Sequence, residues 1–304
     1  MKRLIFLSIL IQIFFSCKND TNPNILIILT DDQGWGDLSI NGNTNLKTPN
    51  IDNIALNGAS FERFYVSPVC SPTRAELLSG KFFVRSGVNG VTRGYERMNT
   101  DVKLISDFFK AKKYKTGAFG KWHNGSQPPY HPNNRGFDEF YGFTSGHWGN
   151  YFDPILEKNG KIIKTKGYIN DVITNEAISF IKRSNKPFLS FISYNTPHSP
   201  MQVPDKFFDD KDILLRGRYS ERENIEKTKA AVGMIENIDE NIGNVVRSLK
   251  EKGVYENTII IFFSDNGPNG NRWNNDLKDR KGSTNEGGVR VPFFIQWPKN
   301  IKKG

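Results

Sequence analysis

The run Asn24-Ile-Leu-Ile-Ile-Leu-Thr30 carries no polar side chain between its ends and no alternation, so as a strand it has no solvent face. Such a β-branched stretch suits a parallel strand buried on both faces. Thr258 to Ser264 is a second buried run, Phe188 to Tyr194 forms another strand, and Lys115 runs as a strand into Lys121 and His123. Phe293 to Trp297 is the final strand. Helices are expected at Pro49 to Leu56, with Thr48 as N-cap and Pro49 in the first helical position. Further helices are expected at Asp101 to Lys113, with Val102, Ile105, Phe108 and Phe109 inward, and at Ile169 to Arg183. Ser220 to Glu223 has capping-box spacing and opens a long helix to about Glu251, whose core positions run from Ala231 through Met234, Ile238 and Ile242 to Leu249. A chain of 304 residues suffices for one large α/β domain or two small ones.

Polar residues follow the buried runs. Asp31-Asp32-Gln33-Gly34 follows the first and Asp265-Asn266-Gly267 the one ending at Ser264. In open α/β sheets ligands bind at the carboxyl ends of strands. Adjacent acids in a loop also serve as turns or helix caps, but two matched strand ends favour a hard divalent cation held by carboxylate and amide oxygens. Lys121 and His123 stand at another strand end, where a surface lysine alone would mean little. His198 stands between Pro197 and Pro200 just past a third, on a backbone that the prolines constrain.

Cys70 lies in Pro68-Val-Cys-Ser-Pro-Thr-Arg74, followed by Ala-Glu-Leu-Leu-Ser-Gly80. Ala75 to Leu78 reads as a short helix stopped by Gly80, which puts Cys70 at a helix mouth that favours an anion. A lone cysteine is otherwise a small buried hydrophobe. The Cys-x-Pro-x-Arg core resembles the activation motif of the type I, formylglycine-dependent sulfatases of the alkaline-phosphatase-like superfamily. In that family the cysteine is converted to formylglycine, whose hydrate is the nucleophile. Lys115 to His123 looks like the second signature of the family, Pro197-His198-Ser199-Pro200 like its histidine loop, and Lys278 to Pro292 like its closing segment. Ser79 stands where threonine is more usual, Lys113 where glycine is usual and Phe119 where a smaller apolar residue is common, and the last two touch no functional atom.

The resemblance implies an α/β fold with a large, mostly parallel mixed sheet flanked by helices. It implies Cys70, Arg74, Lys121, His123, His198 and Lys281 as catalytic residues, with Lys278 competing for the place of Lys281. Asp31, Asp32, Asp265 and Asn266, with the modified Cys70, would bind calcium. Cysteine suits such a cation poorly and a hydroxyl suits it well. The divalent ion and three basic side chains against three carboxylates leave a positive site for a singly charged sulfate ester. Glu286 and Arg290 are expected to pair and hold their loop. The implied activity is sulfate-ester hydrolysis on sulfated carbohydrate, after a maturation enzyme has acted on Cys70. A formylglycine-dependent phosphonate or phosphate monoester hydrolase, or a glycan-binding lipoprotein without catalysis, remains open.

Lys2 and Arg3 precede an apolar run from Leu4 to Phe15, too short to span a bilayer and suited to a signal peptide. Ser16-Cys17 resembles a lipoprotein cleavage box, so residues 1–17 are read as a lipoprotein-type signal, 18–23 as a linker and 24–304 as the catalytic domain. Location is then periplasmic or cell-surface in a bacterium with a lipid anchor on Cys17, or secreted after ordinary signal cleavage, and with Cys17 lipidated and Cys70 converted no structural disulfide is left to form. Formal charge is +10, yet no basic cluster interleaves with stacking aromatics, and nucleic acid is excluded as a partner. Residues 126–167 read as loops with a small hairpin near Leu156 to Ile163, and such loops carry specificity. Trp122, Trp148 and Tyr151 suit either sugar stacking or packing, and His131 and His147 stay ambiguous. Family members continue into a C-terminal subdomain, which would cover an apolar surface at Val289, Val291, Phe293 and Ile295.

Overall fold

A computed structural model describes residues 22–209 and 211–303. The expected signal segment, Cys17 and residues 18–21 of the linker lie outside them. In chain order β1 (Asn24–Thr30) is followed by α1 (Pro49–Leu56), the short strands β2 (Ala59–Ser60) and β3 (Phe64–Tyr65), and α2 (Cys70–Ser79). Next come α3 (Ile105–Ala111), β4 (Lys115–Lys121), β5 (Glu139–Phe143) and the hairpin of β6 (Ile155–Lys158) and β7 (Lys161–Lys164). The remainder is α4 (Ile169–Arg183), β8 (Phe188–Ser193), α5 (Ile225–Glu251), β9 (Thr258–Ser264), α6 (Glu286–Val289), β10 (Arg290–Val291) and β11 (Phe293–Gln296).

One nine-stranded sheet has the order β2-β11-β9-β1-β8-β4-β5-β6-β7, and β10 pairs with β3 in a small second sheet. From β9 to β5 every pairing is parallel, while β11, β2, β6 and β7 join antiparallel. The period of two sends Leu26 and Ile28 of β1 into one core, with α4 and α5. It sends Ile25, Ile27 and Leu29 into the other, with α2. Each fully buried Ile or Leu contributes about 1.5–3 kcal/mol, so the absence of a polar face on β1 is what places it at the centre. This is the expected α/β fold.

Four local readings change. α2 begins at Cys70 itself rather than near Ala75, after Val69 in extended conformation, and ends at Gly80 with φ 65°. Pro72 is tolerated because first-turn N–H groups have no helical partner. α3 is shorter than expected: Val102 is buried ahead of it, and Phe108 is 63% exposed, because Ile105 and Phe109 at i and i+4 form the inward stripe. The capping-box reading at Ser220 fails. Those residues form a 3-10 turn, and Asn224 caps α5 instead, its Oδ1 accepting from Lys227 N at 2.9 Å. The expected open surface at the last strand is largely covered. β2 pairs outside β11, Val291 is buried, and Phe293 packs under Phe61 and Phe64 with ring centroids at 5.2 and 4.3 Å.

Candidate active site

The parallel strands deliver their polar ends to one edge of the sheet. Asp31 and Asp32 follow β1, Asp265 and Asn266 follow β9, Lys121 ends β4 with His123 two residues on, and the loop after β8 carries His198. α2 brings Cys70 and Arg74 to the same edge. Ligand atoms of Asp31, Cys70 and Asp265 lie within 4.8 Å of one another, as do those of Asp31, Asp32 and His198. Thus residues 234 positions apart in sequence, such as Asp32 and Asn266, meet in one centre.

Two ion pairs are fully buried. Lys121 Nζ lies 2.6 Å from Asp31 Oδ2, and Arg74 donates from Nε and Nη2 to Asp265 Oδ2 at 3.0 and 2.8 Å. Arg74 Nη1 completes its fork on Ser193 Oγ at 2.5 Å and the Lys121 carbonyl at 3.2 Å. Lys281 Nζ lies 2.5 Å from Asp32 Oδ1, with its side chain 16% exposed, whereas its competitor Lys278 is exposed. Burial acts to raise the Asp31 pKa, but Lys121, His198, Arg74 and Lys281 outweigh it and hold the carboxyl far below the usual range. Asp265 goes the other way, pushed up to about 6 by burial and by the neighbouring Asp31 charge.

The donor set suits a hard cation. Asp31 Oδ1, Asp32 Oδ2 and Asn266 Oδ1 are buried and have no hydrogen-bond partner. Asn266 spends its amide N–H groups on Asp32 Oδ1 at 2.8 Å and the Gly267 carbonyl at 2.9 Å, which leaves its own Oδ1 free. A buried unsatisfied acceptor costs roughly 1–3 kcal/mol, and three oxygens so placed have the chemistry that calcium requires. Asp32 holds φ at 66° and His123 at 69°, left-handed conformations that cost a non-glycine residue about 1 kcal/mol or more.

Cys70 is buried, and burial followed by the carboxylates raises its thiol pKa despite Lys121. It is therefore a weak thiolate source at neutral pH. His123 Nε2 donates to the Val91 carbonyl at 2.8 Å, and its Nδ1 is buried without a partner. Burial, then Lys121, lowers the His123 pKa well below the usual value, so the ring is neutral with a free Nδ1 lone pair. His198 Nδ1 donates to the Ser199 carbonyl at 2.7 Å, and its Nε2 lies 3.8 Å from Asp32 Oδ2.

The ambiguous residues now have places. Trp122 is buried, with Nε1 donating to the Tyr130 carbonyl at 3.1 Å, and Tyr151 is buried as well, so neither is a stacking platform for sugar. Trp148 stacks on Phe143 at 5.1 Å. His131 Nε2 bonds Glu157 Oε1 at 2.6 Å beneath the surface, a structural contact, while exposed His147 stacks on His198 at 6.1 Å. Glu286 and Arg290 do pair, at 3.3 Å, and Glu286 also accepts from Tyr65 Oη at 2.7 Å. Sequence reasoning missed Ser193, the buried pair of Arg272 and Asp37 at 2.7 Å, and the Tyr151 hydroxyl beneath the His198 loop. Their partners are far away in sequence, and no local pattern marks them.

The described residues contain no helix long and apolar enough to cross a membrane. The Sulfatase family model matches residues 23–304. N-acetylgalactosamine-6-sulfatase of Mus musculus is 31% identical over 325 residues, covering 93% of this chain but only 58% of its own length. The crystal structure of Ps i-CgsB in complex with k-i-k-neocarrahexaose superposes with a TM-score of 0.83 at 36% identity, covering 93% of this chain and 68% of that one. PsFucS1 sulfatase from Pseudoalteromonas sp. gives a TM-score of 0.77 at 29% identity, covering 96% and 65%. With that match over nearly the whole chain, and with the mostly parallel sheet described above, this chain belongs to the sulfatase family and has its alkaline-phosphatase-like fold.

Proposed function

We propose that the protein hydrolyses sulfate esters of sulfated carbohydrates, using a formylglycine made from Cys70 and a bound calcium ion. The carrying observation is the position of Cys70: a buried, high-pKa thiol whose sulfur lies within 4.8 Å of carboxylate oxygens of Asp31 and Asp265. A thiol there is neither a good nucleophile nor a good calcium ligand, and a hydroxyl on the converted residue would be both. Asp31, Asp32, Asp265 and Asn266 would hold the ion, which supplies charge neutralisation for the carboxylates and for the sulfate oxygens.

The protein's own groups divide the remaining work. Lys121 and Lys281 bring positive charge to the sulfate, and Arg74, fixed by Asp265 and Ser193, keeps the residue at position 70 in a cationic field. His198 is the better proton donor to the departing alcohol. Its Nδ1–H is committed to Ser199, which turns Nε2 toward Asp32, whereas the Lys281 pKa is raised by Asp32 and Asp31 against the opposing effect of burial. His123 Nδ1, unpartnered and unprotonated, is the acceptor for the proton released when sulfate leaves.

Burial of Cys70 in the folded chain requires the maturation enzyme to act before folding is complete. Export by the N-terminal segment, with lipid on Cys17, is part of the same proposal. The sugar assignment draws on the names of the relatives, one an N-acetylgalactosamine-6-sulfatase and one bound to a neocarrahexaose. The test is coexpression with a maturation enzyme, followed by sulfate release from defined sulfated oligosaccharides and mass analysis of the tryptic peptide Phe64–Arg74. Conversion lowers that peptide by about 18 Da, and Cys70→Ala abolishes release while the melting transition persists. Full turnover by protein with wholly unmodified Cys70 would defeat the proposal.

A further inference from the structure

We propose that a basic concavity beside the catalytic centre binds a second anionic group, sulfate or carboxylate, on the same sugar chain that carries the ester to be cleaved. This rests on the sulfate-ester reading of the centre. The concavity has a volume of ≈ 280 Å³, and Arg222, Lys227 and Arg280 line it. All three are exposed, and among the described residues none has a carboxylate at ion-pair distance. The Glu223 carboxylate at this wall faces Thr228 and Arg272, so the like charges of Arg222, Lys227 and Arg280 are left to an anion from outside.

Two walls of the concavity are also tied to each other. Asn271 Nδ2 donates to the Arg222 carbonyl at 2.8 Å, and Asn271 Oδ1 accepts from Arg280 Nη1 at 2.9 Å, so one amide ties two of the walls together. Arg272 joins the concavity to the centre. It lines the wall, yet its guanidinium is spent on Asp37, and Nη2 donates to the Asp32 carbonyl at 2.6 Å. Met201, three residues past His198, closes the near side. A group seated here is therefore one guanidinium away from Asp32, a reach that suits a neighbouring substituent of the sugar whose ester lies at Cys70.

The test uses the Cys70→Ala protein, which cannot turn over, and titration calorimetry with three probes: a sulfated carrageenan hexasaccharide, its desulfated form and hexagalacturonate. The added pair R222Q/K227Q should weaken binding of the sulfated or the carboxylated sugar about tenfold, and whichever sugar responds names the group. The charge-preserving pair R222K/K227R should stay near the parent, and the desulfated sugar should be indifferent to both. In matured enzyme, R222Q/K227Q should raise KM for the hexasaccharide while leaving turnover of 4-nitrophenyl sulfate unchanged. Equal affinities in folded parent and R222Q/K227Q protein, or no binding of either charged sugar, would overturn the subsite. Charge-dependent binding without any sulfate-ester turnover would sink the reading of the centre and leave the subsite standing.

Discussion

The two halves of the site differ in how they hold charge. The inner half, Arg74 with Asp265 and Lys121 with Asp31, has all four side chains fully buried. The outer half, Lys281 and His198 around Asp32, leaves the side chains of both basic residues 16% and 15% exposed. Buried pairs cannot exchange a partner for water, so they fix geometry, whereas partly exposed ones can move and trade protons with a substrate. Under the proposed function, the inner half would be a frame for the residue at position 70, and the outer half would handle arrival and departure.

Removing one partner from the inner frame should have the largest effect on stability. Arg74→Ala leaves Asp265 buried without its counter-charge, and a loss of about 3–5 kcal/mol in urea unfolding is expected. Lys281→Ala should cost roughly 1–2 kcal/mol, because Asp32 keeps the Asn266 amide and water can reach the vacated position. Equal losses for the two variants would erase the distinction between frame and rim.

His198→Ala should leave stability unchanged and lower kcat about 10²- to 10⁴-fold on alkyl sulfate esters of sugars. On 4-nitrophenyl sulfate, whose leaving group departs without a proton, the loss should be far smaller. A uniform loss on both substrates would move the donor role elsewhere.

Proton linkage gives a finer test inside the frame. The His123 pKa is lowered in the folded state, so the folded chain keeps this ring neutral where the unfolded chain, with an ordinary value of 6.5, takes a proton. Stability from this group is full above about pH 6.5 and is lost as pH falls below it. Comparing wild type with His123→Asn from pH 5 to 8 by urea unfolding isolates the effect. Wild type should lose the extra stability on the acid side, and parallel curves would show that the ring titrates alike in both states.

The same contrast explains what was legible in the sequence. β1 and β9 and their polar ends were readable because central strands of a parallel sheet write largely continuous apolar runs, and Asp31, Asp32, Asp265 and Asn266 stand directly after such runs. The sulfatase family was readable as a resemblance that covers nearly the whole chain. α3 was overextended because Val102 is apolar for reasons of loop burial, not helical period. Trp122 and Tyr151 stayed undecided between stacking and packing because aromatic character does not say which way a ring faces. Asp37 and Arg272, 235 positions apart, form a contact that only the folded sheet creates.

Tyr151 is the smallest and most discriminating case. Its buried hydroxyl lies 2.8 Å from the His198 carbonyl, 3.0 Å from that of Ser199 and 3.3 Å from that of Asn195, and it can donate to only one at a time. It thereby holds the loop whose histidine serves the outer half, and its own backbone N–H is held by Gln202 Oε1 at 2.7 Å. Tyr151→Phe keeps the ring packing and removes one donor, so stability should fall by about 1 kcal/mol. If Tyr151 positions His198, kcat should fall about tenfold or less on sugar sulfates and hardly at all on 4-nitrophenyl sulfate, a weaker copy of the His198→Ala pattern. A loss of stability with no leaving-group dependence would make Tyr151 a packing residue, and would show that the His198 loop is held by its prolines and by Asp32 without help from below.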